Sequence, residues 1–272
     1  LSVLSGFLST RFSKTALTGK ILQGLLFGVT AIIGMLYPFN FAEGIIFDGR
    51  SIVISLCALF FGPLSGSIAA IMAAGYRMSI GGGGAIMGVL VILSSFLIGY
   101  FFYNYRSKKT GNKIQVWEFY VLGIIVHIFM LLFILTLPSK NIAETYKTIA
   151  LTIIGIYPLV TVLIGRILLD QEQNLDFINT LKESEKLFRT TLYSIGDGVI
   201  TTDSDGKIVN MNNIASEITG WKETEVKEKY LSEVFKIINE DTMLPVENPV
   251  ETILREGYIV GLANHTLLIR KD

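Results

Sequence analysis

The 272-residue sequence is 51% hydrophobic and only 17% charged, and its mean hydropathy of +0.54 excludes an ordinary water-soluble chain while the length allows two domains. Its 23 basic and 23 acidic residues cancel overall, but residues 1–166 carry 12 Lys/Arg against 4 Asp/Glu and residues 167–272 carry 11 against 19; a basic apolar half joined to an acidic half gives no general attraction to nucleic acid. The single cysteine, Cys57 in an apolar run, excludes an intrachain disulfide and a zinc site, and no metal site or catalytic constellation is expected.

Residues 1–8 are apolar, but Arg11 arrives before they could span a bilayer, and no basic leader precedes them. They are expected to be the end of a truncated N-terminal helix. Uncharged windows follow at 21–42, 51–76, 78–105, 119–139 and 148–165, each close to the ~20 residues that cross ~30 Å of hydrocarbon. Five complete spans are therefore expected. Gly24 with Gly28, Gly62 with Gly66 and Gly84 with Gly88 stand four apart, the spacing that lets membrane helices approach closely in a bundle. Trp117 and Tyr120 suit an interface, and His127 is either a functional intramembrane group or a neutral ring hydrogen-bonded between helices.

The most informative stretch is 48–84. Asp48, Gly49 and Arg50 precede the uncharged window 51–76, Arg77 closes it, and Gly81, Gly82, Gly83 and Gly84 follow. A guanidinium pairs bidentately with a carboxylate, more strongly at low dielectric, and glycine N–H groups at a helix start can face the same anion. Asp48, Arg50, Arg77 and the four glycines are therefore candidate ligand-binding residues for a small anion. The plainer reading puts both arginines at interfacial helix ends, snorkelling to headgroups, or pairs Arg50 with Asp48 or Glu43.

Gly62 and Pro63 interrupt the window and form a candidate hinge. In one straight helix Arg50 and Arg77 would stand about 40 Å apart at ~1.5 Å per residue, so a shared ligand requires that hinge to fold the segment. Loop charge bears on the same point. Arg106, Lys108, Lys109 and Lys113 mark the loop after the third span as cytoplasmic. Single crossings throughout then leave Arg11, Lys14 and Lys20 outside, whereas a re-entrant hairpin at Gly62-Pro63 brings them inside. Re-entrant elements are uncommon, and ordinary crossings are the expectation.

The order Asp48-Gly49-Arg50, Phe61-Gly62-Pro63, Arg77 and the glycine run resembles the five-transmembrane LYT domain of LytS-type bacterial sensor kinases, over about residues 20–166. The resemblance implies a bacterial inner-membrane input module joined to a histidine kinase or a cyclic-dinucleotide output. It further implies that some members serve cell-wall regulation and others respond to pyruvate, with arginines matching Arg50 and Arg77 involved. Gly88 and Val91 depart from the pattern, standing where a thiol and a hydroxyl are expected.

From Ile167 a polar helix carries Leu168, Leu175, Ile178, Leu181, Phe188 and Leu192, an imperfect heptad seam that could pair in a parallel homodimer or pack on its own domain. Beyond it, strands are expected at 198–203 and 208–211 around the Asp205-Gly206 turn, and a short helix from Asn212-Asn213 to Gly220-Trp221. An apolar-periodic helix at 231–238, a third helix from Asn248-Pro249 to Gly257 and a strand at 264–270 complete the pattern. This order, with the residues Gly196-Asp197-Gly198, Asn210, Asn212-Asn213 and Ile218-Thr219-Gly220-Trp221, resembles a PAS domain. The resemblance implies a five-stranded antiparallel sheet, so the domain is expected to be C-terminally truncated, by about two strands. PAS domains can hold flavin or haem; without a cysteine here, and with His265 on a strand, no cofactor is expected.

The expected fold is an α-helical polytopic membrane bundle of five complete spans plus a truncated N-terminal one, followed by an α+β PAS domain. The expected divisions are a sensor at 1–166, a signalling helix at 167–188 and PAS at 189–272. The expected function is the input and relay part of a sensor protein in the bacterial inner membrane, with PAS in the cytoplasm. A small, anionic molecule such as pyruvate is sensed in the bilayer and an output domain is driven through a homodimer. A histidine kinase acting on a response regulator is the first output expected, a diguanylate cyclase the second. A small-solute carrier is the alternative from another class, and these residues alone are expected to catalyse nothing.

Overall fold

A computed structural model describes residues 1–42, 45–108, 114–246, 261 and 265–272. The chain forms two compact units, Leu1–Phe177 and Ile178–Asp272.

The first unit is helical. A short α1 (Ser2–Arg11) precedes α2 (Leu17–Leu36), and a two-stranded antiparallel hairpin, β1 (Phe39–Ala42) with β2 (Ile45–Phe47), leads into α3 (Arg50–Ile80). Then come α4 (Ala85–Ser107), α5 (Val116–Phe133) with a 3-10 turn at Ile134–Thr136, and α6 (Ser139–Ser194). Among the described residues five helices are long and apolar enough to cross a membrane. The distribution of their side chains is that of a protein in lipid. Leu25, Val29, Ile33, Leu93, Leu97, Phe101, Leu151, Leu159 and Leu163 are exposed, while Gln23, Ser55, Ser65, Ser95, His127 and Thr161 are buried.

The central element is α3, with 78% of its apolar window buried against 28–39% in the other four. It is not the straight crossing expected from the sequence. Gly62 takes φ 81°, ψ −172°, a region essentially reserved for glycine, and the chain reverses there. Residues 50–61 and 63–80 become two antiparallel limbs: a Cβ added to Gly66 would stand 2.8 Å from Ala58 Cβ, a pair that one straight helix would hold about 12 Å apart at 1.5 Å per residue. Gly62 ends the first limb and Pro63 sits at the first turn of the second, where its missing N–H costs no bond. Ser65 Oγ–H reaches the Phe61 carbonyl beside the break (3.2 Å) and the Lys20 carbonyl (2.8 Å), giving the Phe61 carbonyl a partner and tying the reversal to α2.

Small residues seat both limbs. Gly24 lies against Ser65 and Ile68, and Gly28 against Met72, so the second limb runs parallel to α2. Gly99 of α4 lies against Ser55 and Ala58, and Gly88 against Arg77. The reversal also resolves the loop charges. Lys14 is ion-paired with Glu172 (2.9 Å), and Arg106 interacts electrostatically with Glu172 and Glu118, so the basic α1–α2 connection shares one end of the bundle with the end of α4. The hairpin reading, not the ordinary crossing, meets the positive-inside tendency.

In the second unit, β3 (Ile200–Thr202) pairs antiparallel with β4 (Ile208–Met211), followed by α7 (Asn213–Thr219), α8 (Glu223–Val226) and α9 (Leu231–Val234). Asn212 caps α7 through its side chain, and Gly220 ends it in the left-handed conformation (φ 73°, ψ 8°), as the sequence predicts. The helix expected over 231–238 is corrected: it stops at Val234, and β5 (Lys236–Asn239) pairs antiparallel with β6 (Thr266–Ile269). Pairing with β6 explains the switch, and it leaves Ile237 buried and Lys236 exposed. The helix expected from Asn248 lies outside the described residues. Ile208, Met211, Ala215, Val226, Leu231 and Val234 form the core.

Candidate functional site

The reversal of α3 gives the hairpin a closed tip at Gly62 and an open mouth carrying Arg50 and Arg77. The two residues farthest apart along the window are thereby brought together. Asp48 interacts electrostatically with both guanidinium groups, and these interact with each other. Both side chains are buried, Arg77 to 1% and Arg50 to 5% exposure, away from the surface contacts of the plainer reading, whose other arm, the pairing of Arg50 with Asp48, is formed.

Arg50 is held at the start of α3 by Asp48. Its Nη1–H donates to Asp48 Oδ2 at 2.6 Å and its backbone N–H to Oδ1 at 2.9 Å. Burial raises the Asp48 carboxyl above its ordinary range, while the Arg50 charge, the Arg50 N–H and Arg77 act in the opposite direction. Arg50 Nε is buried with no hydrogen-bond partner among the described residues, a donor left over for an acceptor at the mouth.

The glycine run acts on Arg77 differently from expectation. Arg77 Nη1–H donates to the Gly81 carbonyl at 2.8 Å, and the Gly81 N–H is spent on Met78, so Gly81 meets the arginine with an acceptor rather than an anion-facing donor. Positive φ at Gly81 (69°) and Gly82 (83°) turns the chain back. Gly83 abuts Pro138, and Gly84 caps α4. Gly88, where the resemblance implies a thiol, leaves room for Arg77: an added Cβ would stand 2.6 Å from Arg77 Nε.

Three further side chains complete the mouth. His127 in α5 is fully buried, and its Nδ1–H donates to the Gly123 carbonyl at 2.6 Å. Because that carbonyl only accepts, the neutral ring presents Nε2 as an acceptor to Ser51 Oγ–H at 3.3 Å. Ser51 follows Arg50 in the chain. The Tyr157 ring lies 5.0 Å from that of His127, and its hydroxyl interacts electrostatically with Asp48 and Arg50. Tyr157 also lines a cavity of about 310 Å³ with Phe47, Thr148, Ile149, Thr152 and Ile153. Among the described residues the site thus combines two guanidinium groups, one carboxylate, a serine, an imidazole and a phenol in a low-dielectric setting, a set of groups suited to a small anion carrying a second polar group. Of the sequence-predicted residues, Asp48, Arg50, Arg77 and Gly81 converge. Gly82, Gly83 and Gly84 shape the turn. His127 takes the second of its two expected roles, a neutral ring hydrogen-bonded between helices, while Ser51 and Tyr157 carry no sequence signal.

Two family models match the chain: the five-transmembrane receptor LYT model (5TMR of 5TMR-LYT) over residues 6–171, and the PAS fold over residues 186–256. No curated protein and no solved structure matches.

Proposed function

We propose, from the premise that the chain belongs to the five-transmembrane LYT receptor family and carries a PAS domain, that this multi-pass membrane sensor binds a small carboxylate at the mouth of α3. The observation that carries the reading is the convergence of Arg50 and Arg77, from opposite ends of one apolar segment, into a single buried cluster. Burying two like charges side by side is costly, and that cost is offset in part by Asp48 and further by a bound anion. A carboxylate bearing an adjacent oxo or hydroxyl group, pyruvate among them, suits guanidinium groups next to Ser51, His127 and Tyr157.

In this reading the protein sits in a bacterial inner membrane with its basic end and PAS domain in the cytoplasm. The signal leaves along α6, whose Ile178, Leu181 and Phe188 are 46%, 58% and 50% exposed and form a seam for a second copy of the chain. It reaches an output, a histidine kinase that phosphorylates a response regulator. Binding drives the output only through different affinities for two states of the bundle.

The test is a thermal-shift titration of the full chain in lipid nanodiscs with pyruvate and a panel of small hydroxy and keto acids. Arg50→Ala and Arg77→Ala each remove charge-assisted hydrogen bonds of ~1.5–3 kcal/mol and are expected to weaken binding about 10- to 100-fold. Lys108→Ala, at the other end, is expected to leave it unchanged. Wild-type affinity in both arginine variants would sink the reading.

A further inference from the structure

The far end of the α3 hairpin carries a second arrangement that ligand binding alone does not require. Its tip, Phe60-Phe61-Gly62, lies against the segment of α6 that leaves the bundle. Phe60 stacks on Phe119 at 5.8 Å, Phe61 tilts against Phe27 at 5.3 Å, and Leu168 and Leu169 of α6 are buried in the same apolar cluster. A void of only about 10 Å³ remains where Phe60, Phe61, Leu168 and Leu175 meet. Lys14 joins the two elements directly, with its Nζ 5.9 Å from the Phe61 ring centroid and 2.9 Å from Glu172 Oε1. The helix preceding Lys14 is itself fixed. Ser5 Oγ–H donates to Gln23 Oε1 at 3.0 Å, Gln23 Nε2–H returns to the Ser5 carbonyl at 2.9 Å, and Gly6 lies against the Gln171 side chain.

We infer that α3 is the transmission lever of the sensor, and that Lys14 is the pin coupling its aromatic tip to α6 at Glu172. The inference rests on the proposed function only in calling the arginine mouth the input. A helical limb is stiff along its axis, and close-packed contacts pass displacement on rather than absorbing it. Repositioning Arg77 at the mouth therefore moves residues 63–80 against Gly24 and Gly28 and shifts the tip beside Leu168. Glu172 supplies the discrete alternative that coupling needs: it contacts Lys14 and also interacts with Arg106 at the end of α4. Exchange between these two cations turns a sub-ångström shift into a change of partner. Because α6 is one helix from Ser139 to Ser194, a shift at Glu172 is carried along it.

The test needs no ligand, so it stands or falls separately from carboxylate binding. Backbone hydrogen exchange of residues 167–177 is measured on the full chain in nanodiscs. Arg77→Gln and, independently, Gly88→Ala, whose Cβ crowds Arg77, serve as inputs at the mouth. Each is introduced into wild type, Lys14→Gln and Phe61→Leu. Either input is expected to change exchange at 167–177 about threefold or more in wild type. The change is expected to vanish in the Lys14→Gln and Phe61→Leu backgrounds, and to persist with Lys14→Arg, which keeps a cation between the Phe61 ring and Glu172. No change in wild type from either input would overturn the lever. A change of equal size with Lys14→Gln would overturn the pin.

Discussion

Replacing Gly62 by alanine tests the reversal on which the site depends. At φ 81°, ψ −172° a Cβ costs about 1–3 kcal/mol in backbone strain. The same Cβ would lie 3.0 Å from the Tyr103 ring, with two further atoms at 3.2 Å, but these are the end of a half-buried side chain, so the backbone strain is the larger cost. In a continuous helix, by contrast, alanine is favoured over glycine by ~1 kcal/mol. Gly62→Ala thus shifts the balance between the folded-back and straightened segment by about 3 kcal/mol, near a hundredfold in the equilibrium constant. Against the unfolded chain only the strain of about 1–3 kcal/mol counts, which for a unit of this size corresponds to a fall in unfolding temperature of roughly 2–12 °C. The assays are thermal unfolding in nanodiscs and, in a Cys57→Ser background, the spin-label distance between positions 49 and 80. That distance should broaden toward the ~47 Å that a straight segment would set between these positions at 1.5 Å per residue. Gly75→Ala is the control, since its added Cβ meets nothing within 4 Å. If Gly62→Ala is no less stable than Gly75→Ala and keeps a short, narrow distance, the reasoning is wrong.

Three other outcomes are expected. Gly88→Ala should displace Arg77, the flexible partner in that contact, and weaken pyruvate binding about tenfold with little loss of stability; unchanged binding counts against Arg77 as a ligand. Asn212→Ala should destabilise the second unit by about 2–4 kcal/mol, read by urea unfolding at Trp221. Its buried side chain accepts from the Val199 and Ala215 N–H groups and donates to the Leu192 and Asp197 carbonyls, and a loss below ~1 kcal/mol would contradict that role. The Lys271 ammonium, 2.7 Å from Glu225, holds the glutamate below its usual 4.5. Because the folded value is the lower one, its stabilising contribution is complete above the ordinary glutamate range and disappears as pH falls through the depressed value. An NMR titration of the Glu225 carboxyl should find a midpoint under 4.5 that rises in Lys271→Gln. A midpoint indifferent to Lys271 would exclude the pairing.

What the sequence disclosed depended on whether the determining interaction was local. The five apolar segments follow from hydropathy alone, and the cap at Asn212 and the stop at Gly220 from residues inside one short helix. Phe61-Gly62-Pro63 is a local stop-and-start signal too, but a membrane helix can also absorb a proline as a kink, and what separates these outcomes is packing. The second limb needs Gly24 and Gly28 of α2 on one side and Phe96 of α4 on the other. The loop charges carried the same information in weaker form. Ser51 and His127 meet across 76 residues, and Tyr157 belongs to yet another helix, so nothing near any of the three announces the others. The switch from α9 to β5 was missed because Leu231, Val234 and Ile237 keep helical spacing, while the pairing with Thr266–Ile269 that overrides it lies far along the chain.

The limb 50–61 is about 18 Å long at 1.5 Å per residue, too short to cross ~30 Å of hydrocarbon by itself. Left in lipid, its terminal backbone groups would lack partners until residues 63–80 had doubled back beside it. Membrane insertion must therefore deliver the two limbs as a pair, onto an α2 already in place. Synthesis from the N-terminus supplies that order: α2 with its glycine face, then the hairpin, then α4 to close over Gly66 and Arg77. His127 and Tyr157 join only when α5 and α6 follow. A nascent or prematurely ended chain can thus hold both arginines and still lack the cluster around them.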